Sequence, residues 1–188
     1  MKNNKSTVSG KFVIFVGFIS FIIAALFFLL SEFFARALNS PILSFIFLIM
    51  IIFVGITSDL VGTSVAAADE KPFHAKASKR IKGAHESVFL IRNADRVANI
   101  ANDVVGDIAG TVSGALGIAL VLQIIQMWEE LNLSTLNMLI TAFIAALTVG
   151  GKAFGKKIAL SRPNDVIFFV GRLIATVSGI TGIRVVKK

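Results

Sequence analysis

Long apolar runs separated by short polar stretches give this chain its plan. Phe12 to Leu30 carries no charge; Ile42 to Ile56 is strongly apolar, and small residues continue it to Ala68. Two more runs follow, about Val104 to Trp128 and about Leu133 to Val149. At 1.5 Å of rise per residue, helices of roughly 20 residues cross roughly 30 Å of hydrocarbon. The pattern predicts an all-α integral membrane protein with about four transmembrane helices.

Each run has its own character. The first competes with a cleaved signal peptide, but it is long for one and leads into Ser31-Glu32-Phe33-Phe34 rather than a small-residue cleavage site, so we read it as a retained helix. Pro41 stands where a helix accepts proline, in its first turn. Within the second run, Thr57, Ser58 and Asp59 interrupt the apolar character, and Gly62-Thr63-Ser64 follows. Such residues are unlike a lipid-facing surface and are expected to face protein or water.

In the third run Gly106, Gly110 and Gly114 recur every four residues, beside Ala109, Ser113 and Gly117. A face of nearly bare backbone lets another helix approach closely, so this helix is expected to be the packing centre. Asp103 and Asp107, also four apart, precede the glycines. Either they remain in the headgroup zone, favoured by the helix dipole, or they belong to a polar site; Asp107, one turn deeper, then needs a partner or a water-filled cavity. The fourth run ends at Gly150-Gly151, expected to loosen or end the helix, followed by Lys152, Lys156 and Lys157. Lys156 and Lys157 suit the role of interfacial anchors. Lys152 either extends to the headgroups or turns inward to meet Asp103 or Asp107.

Charge then orients the chain. Between Asp69 and Arg96 lie Lys71, Lys76, Lys79, Arg80, Lys82, Arg92 and Arg96, whereas the connection after the third run has Glu129 and Glu130 and no basic residue. By the positive-inside rule the first loop is cytoplasmic and the second external. The basic lead and the basic stretch from Lys152 onward put both termini in the cytoplasm. The tail from Asp165 is apolar with spaced basic residues. It is expected to lie along the inner surface among anionic headgroups, with a fifth crossing as the alternative.

Composition narrows the chemistry. The chain is 55% hydrophobic and 16% charged, with a mean hydropathy of +0.83, outside the range of an ordinary soluble domain. The net charge of +8 sits beside apolar runs and reads as topology and anionic lipid rather than nucleic acid. Without cysteine there is no disulfide, thiolate metal site or cysteine nucleophile. His74 and His85 stand eleven apart without a carboxylate pair at ligand spacing and are expected to be solvated, and no nucleophile motif or phosphate loop is present. We expect no enzyme and no resident cofactor.

Three stretches carry a resemblance. Arg92-Asn93-Ala94-Asp95-Arg96 before the glycine-containing helix, Gly151 to Leu160 (GKAFGKKIAL), and Arg162-Pro163-Asn164-Asp165-Val166 follow one another in an order that agrees with the topology. From about Ile42 to Leu173 the chain resembles the cyclin M type transmembrane domain of the bacterial CorB and CorC proteins associated with magnesium and cobalt transport. The resemblance implies a homodimer in the cytoplasmic membrane, with short inner-leaflet helices between the second and third crossings and a C-terminal juxtamembrane helix. It divides the chain into residues 1–34, a cytoplasmic lead and an additional crossing, and residues 35–188. The latter hold a basic inner-leaflet segment at 62–100 and a juxtamembrane tail at 163–188. The family commonly carries cytoplasmic nucleotide-binding regulatory domains, and as a departure from it this sequence is expected to be a stand-alone membrane domain, with a separate regulatory protein as one candidate partner.

The family's ion site takes a serine from one helix, asparagines from the next and a glutamate from a third. Carried over, these become Ser58, with Ser64 as the alternative register, then Asp103 and Asp107, and Lys152 at the glutamate. Gly155 replaces the motif proline and Lys156 keeps its lysine. With Asp59 nearby, the ion-site candidates are Ser58, Asp59, Asp103, Asp107 and Lys152, with Asp103 and Asp107 as metal ligands and Mg²⁺ as the transported ion. Lysine offers no oxygen to a hard cation and can take the cation's place. Two functions are therefore expected. One is divalent-cation transport; the other is a non-transporting dimeric scaffold or regulatory partner in which Lys152 replaces the ion.

Overall fold

The computed structural model describes residues 10–38, 40–128 and 130–182. The basic lead before Gly10, Glu129 of the outer connection and the basic end after Gly182 lie outside the described residues. The protein is an all-α, multi-pass membrane protein: 90% is helical, and no strand occurs among the described residues. The helices are α1 (Gly10–Leu38), α2 (Pro41–Ala67), α3 (Lys71–Ser78), α4 (Ala84–Arg92), α5 (Ala94–Ala98), α6 (Asp107–Met127), α7 (Leu133–Ser161) and α8 (Pro163–Thr181). A π-helical segment, Asn99–Gly106, joins α5 to α6. Prolines mark three of the starts, at Pro41, Pro72 and Pro163, where the missing N–H leaves no helical bond unmade. Asn132 starts a fourth, its side chain accepting from the Thr135 N–H at 3.1 Å.

Among the described residues four stretches are long and apolar enough to cross a membrane, Pro41–Ala67, Ala94–Met127, Leu133–Ser161 and Pro163–Thr181, whereas the expected first crossing is described only as a shorter apolar stretch, Val13–Leu29, within α1. The third crossing thus begins ahead of Val104, because α5, the π-helical segment and α6 form one continuous rod. By length and composition α8 also qualifies, although the basic spacing of its sequence predicts a surface helix. It packs chiefly on α4 and α2.

The main core joins α2 to α6, and α2, which packs on α7, α6, the π-helical segment, α5 and α8, is the packing centre in place of the glycine-containing helix expected from the sequence. Phe47, Leu48, Ile51 and Ile52 pack against Val104, Ile108, Ala109, Val112, Leu116 and Leu120, with Ile144 arriving from α7. In lipid, close fit between helices replaces the hydrophobic effect as the source of association. The helices meet through small residues at Gly55, where an added Cβ would be 3.0 Å from the Ala109 Cβ and 3.6 Å from the Gly106 carbonyl. A second cluster, Val65, Phe73, Leu90 and Ile167, ties α3, α4 and α8 around the C-terminal end of α2.

Two expectations about glycine are corrected. Gly110 and Gly114 open onto empty space, while Gly106 and Gly117 are packed, so the period-four face is not the contact face of α6. The buried stripe runs through Ala109, Val112, Ser113, Leu116, Gly117 and Leu120. Nor do Gly150 and Gly151 end the fourth helix: α7 continues unbroken to Ser161. In an apolar surround the backbone has no water to bond to, which favours the helix over the freedom of glycine, and Gly151 admits the Ile56 side chain.

A candidate polar site between three helices

The site begins with a glycine-lined seam. On α7, Thr148, Gly151, Lys152, Gly155 and Ala159 recur at helical spacing of three or four and therefore share a face. An added Cβ at Gly151 would strike Ile56, and at Gly155 it would lie 3.5 Å from the Leu60 Cβ and 3.6 Å from the Ile56 carbonyl. α2 and α7 therefore run close together, and Asp59 of α2 is held near the basic end of α7.

The π-helical segment completes the site from the other side. Bonding from i to i+5 adds a residue to the turn, turns the following side chains out of α-helical phase, and is uncommon outside functional regions. Here it places the Ala101 carbonyl where the Ser58 hydroxyl donates to it at 2.7 Å. It also lays the Asn102 side chain across Gly62, one turn beyond Asp59 on α2. Gly106, without a side chain, leaves room for the Lys152 ammonium, which would be 3.6 Å from a Cβ built there.

Asp59 is 5% exposed. Its Oδ2, together with Asn102 Oδ1 and Thr148 Oγ1, is buried without a hydrogen-bond partner among the described residues. Each such atom carries a desolvation cost of about 1–3 kcal/mol unless something binds it. Lys156 Nζ stands 3.8 Å from Asp59 Oδ2, and Lys152 Nζ 3.7 Å from Asp107 Oδ1. Both separations exceed the usual reach of an N–H···O bond, so these are loose ion pairs.

The sequence-predicted residues are distributed unevenly around this centre. Ser58 and Asp59 lie within it. Lys152 is largely enclosed and turns inward to Asp107, one of the partners anticipated for it, whereas Asp107 itself is exposed. Asp103 is also exposed, and its Oδ2 accepts from Asn99 Nδ2 at 2.6 Å. Ser64 is fully buried but donates to the Leu60 carbonyl in its own helix at 2.7 Å. Lys156, read from the sequence as an anchor, faces Asp59. Asn102 and Thr148 escaped the sequence reading. Asn102 sits beside the more conspicuous Asp103, and only the π-helical phase turns the amide, instead of the acid, toward α2.

Chemically the centre is a group of oxygens. No group of three or more His, Cys, Asp or Glu able to hold a metal occurs among the described residues. A cation here would therefore rely on one carboxylate, an amide, hydroxyls and retained water, a set suited to a hard ion. Comparison with family models, curated proteins and solved structures yields no match.

Proposed function

We propose that the protein handles a small hard cation at the centre formed by Ser58, Asp59 and Asn102, and that it transports a divalent ion such as Mg²⁺ across the bacterial cytoplasmic membrane. The observation that carries this reading is the buried Asp59 carboxylate, whose unbonded Oδ2 lies one helical turn from the Gly62 backbone covered by Asn102. An ionisable group in such a position needs a partner, and a passing cation is one. The resemblance to CorB and CorC over about 42–173 supports the same reading and adds the expectations of a homodimer, cytoplasmic termini and a separate regulatory protein. Lys152 and Lys156 then act as built-in cations that the ion displaces from Asp107 and Asp59.

A second reading rests on those same lysines. The centre's one carboxylate, Asp59, already has the Lys156 ammonium within 4 Å, and the exposed Asp107 has Lys152, which favours a scaffold with its ion site closed from within. Divalent-ion binding and flux in proteoliposomes separate the two. Transport predicts Mg²⁺ binding by the wild type that is lost in Asp59→Asn and in Asn102→Leu. Binding that is absent from the wild type and gained in Lys152→Glu would reject transport in favour of the scaffold.

A further inference from the structure

Beside the polar centre, α1 leans on α6 along a groove with a cavity of about 400 Å³. Ala24, Ala25 and Phe28 form one wall, and the flank of α6 that carries Ile108, Val112 and Ala115 forms the other. Phe28 and Ala115 are exposed, so the groove is open along one side. Two polar side chains reach this apolar lining, Thr111 and Asp107. The Thr111 hydroxyl is already committed, donating to the Asp107 carbonyl within its own helix at 3.0 Å. That leaves the carboxylate of Asp107, a side chain 73% exposed.

α6 runs 21 residues from Asp107 to Met127. Its rise is about 30 Å, the thickness of the hydrocarbon core. The carboxylate therefore stands at one edge of the hydrocarbon, and the groove climbs from it toward Ala115, about 12 Å further in. An ionised group at this level needs a partner. Lys152 is a poor one, because its Nζ is 3.7 Å from Asp107 Oδ1, beyond the reach of an N–H···O bond. Among the described residues no other donor meets the carboxylate. The ammonium arrives from the Gly106 side, 3.6 Å from a Cβ built there, whereas Ile108 belongs to the groove. Gly106 and Ile108 adjoin Asp107 in sequence and point about 100° to either side of it. A ligand in the groove thus reaches the acid without passing the lysine.

We propose that this groove binds an amphiphilic organic cation, a quaternary or protonated amine with its head on Asp107 and its apolar body between α1 and α6. Charge complementarity selects the sign, since one carboxylate and no basic residue lines the groove. A hard divalent ion needs about six oxygens, and the groove offers only the carboxylate and the Thr111 hydroxyl. A zwitterionic phospholipid would bring a phosphate beside Asp107 with no basic lining residue to meet it. An amine on an apolar body satisfies both parts of the groove, whose volume suits a small ligand. The inference does not rest on Mg²⁺ transport, because Ser58, Asp59 and Asn102 lie outside this lining.

The test is binding of radiolabelled decyltrimethylammonium, below its micelle concentration, to the purified full chain in neutral detergent. The comparison is decyldimethylamine N-oxide, which has the same chain and a head of similar size without net charge at neutral pH. The wild type is expected to prefer the cation by roughly tenfold or more, against the chain's own net charge of +8. Asp107→Asn should remove that preference and leave both amphiphiles weakly bound. Lys152→Met takes away the competing ammonium and should tighten cation binding by roughly threefold or more. Ala115→Leu, at an exposed position, should fill the groove and weaken both amphiphiles with the unfolding temperature unchanged. Asp103→Asn, which alters an exposed acid outside the groove, should change the preference by less than about threefold. Equal binding of the two amphiphiles by the wild type would leave only an apolar groove. An equal loss in Asp103→Asn would show diffuse charge instead of a site, and cation binding kept in both Asp107→Asn and Ala115→Leu would place the ligand elsewhere. Any of these results overturns the proposal.

Discussion

The Asn102 amide lies directly across the backbone of Gly62, occupying the volume that a side chain at position 62 would need. A side chain at position 62 would have to push the Asn102 amide out of the place it holds against α2, one helical turn along from Asp59. Gly62→Ala is expected to destabilise the fold by about 1–3 kcal/mol through overpacking. Gly110→Ala and Gly114→Ala, which face open space, are expected to be neutral or stabilising by up to about 1 kcal/mol from helix propensity. Thermal unfolding of the three variants in one detergent checks the ordering, and a harmless Gly62→Ala would remove the basis for the Asn102 placement.

The two lysines of the centre should differ in what their loss does. Lys156→Met leaves a buried carboxylate without its nearest cation, and a destabilisation of about 1–3 kcal/mol is expected. Lys152→Met deprives only Asp107, which water reaches, and should cost less than about 1 kcal/mol. Asp59→Asn in the Lys156→Met background is expected to recover most of the lost stability. Unfolding midpoints of the single and double variants supply the comparison, and equal effects for both lysines would contradict it.

Gly83 combines two demands that no other residue satisfies. Its φ of +91° is left-handed, and a Cβ would meet the Arg172 backbone. Gly83→Ala is therefore expected to loosen α4 from α8, at a cost of more than about 1 kcal/mol. Limited proteolysis should show it as faster cleavage in the α3–α4 turn than in the wild type. Ser87→Ala, which removes the hydroxyl shared between the Gly83 carbonyl at 2.8 Å and the Ile167 carbonyl at 3.2 Å, is expected to act in the same direction more weakly.

A pH-sensitive contact ties α3 to α4. Glu70 accepts from Arg92 Nε at 2.6 Å and pairs with His74 Nε2 at 2.7 Å. The hydrogen bond from Arg92 is the main reason its carboxyl is held below the usual carboxylate value, with His74 adding to the effect. A depressed carboxylate pKa contributes stability above the ordinary value, and that contribution is lost as pH falls through the lowered one. Arg92→Gln should return the Glu70 titration toward its ordinary value and flatten the acid limb of the stability profile. Unfolding midpoints measured from neutral pH down through the carboxylate range test the sign. An acid limb unaltered in Arg92→Gln would show that the contact has no such role.

What the chain's order of residues determined by itself is the all-α membrane architecture and the start of several helices. Run length measured against bilayer thickness is a local quantity, as is the missing N–H of Pro41, Pro72 and Pro163, and no partner is needed to read either. Ser58 and Asp59 were legible as a polar interruption for the same reason. Packing decided the rest. A glycine face carries no side chain to say what meets it, so only the assembled helices distinguish packed Gly106 and Gly117 from open Gly110 and Gly114. The Gly150-Gly151 pair stays helical because its surroundings offer the backbone no alternative partner. The π-helical segment is the clearest case. One extra residue in a turn leaves composition and hydropathy unchanged, yet it swings Asn102 toward α2 and leaves Asp103 facing outward. The identity of the buried oxygens was thus a matter of helical phase, set by the contact between α2 and its neighbours.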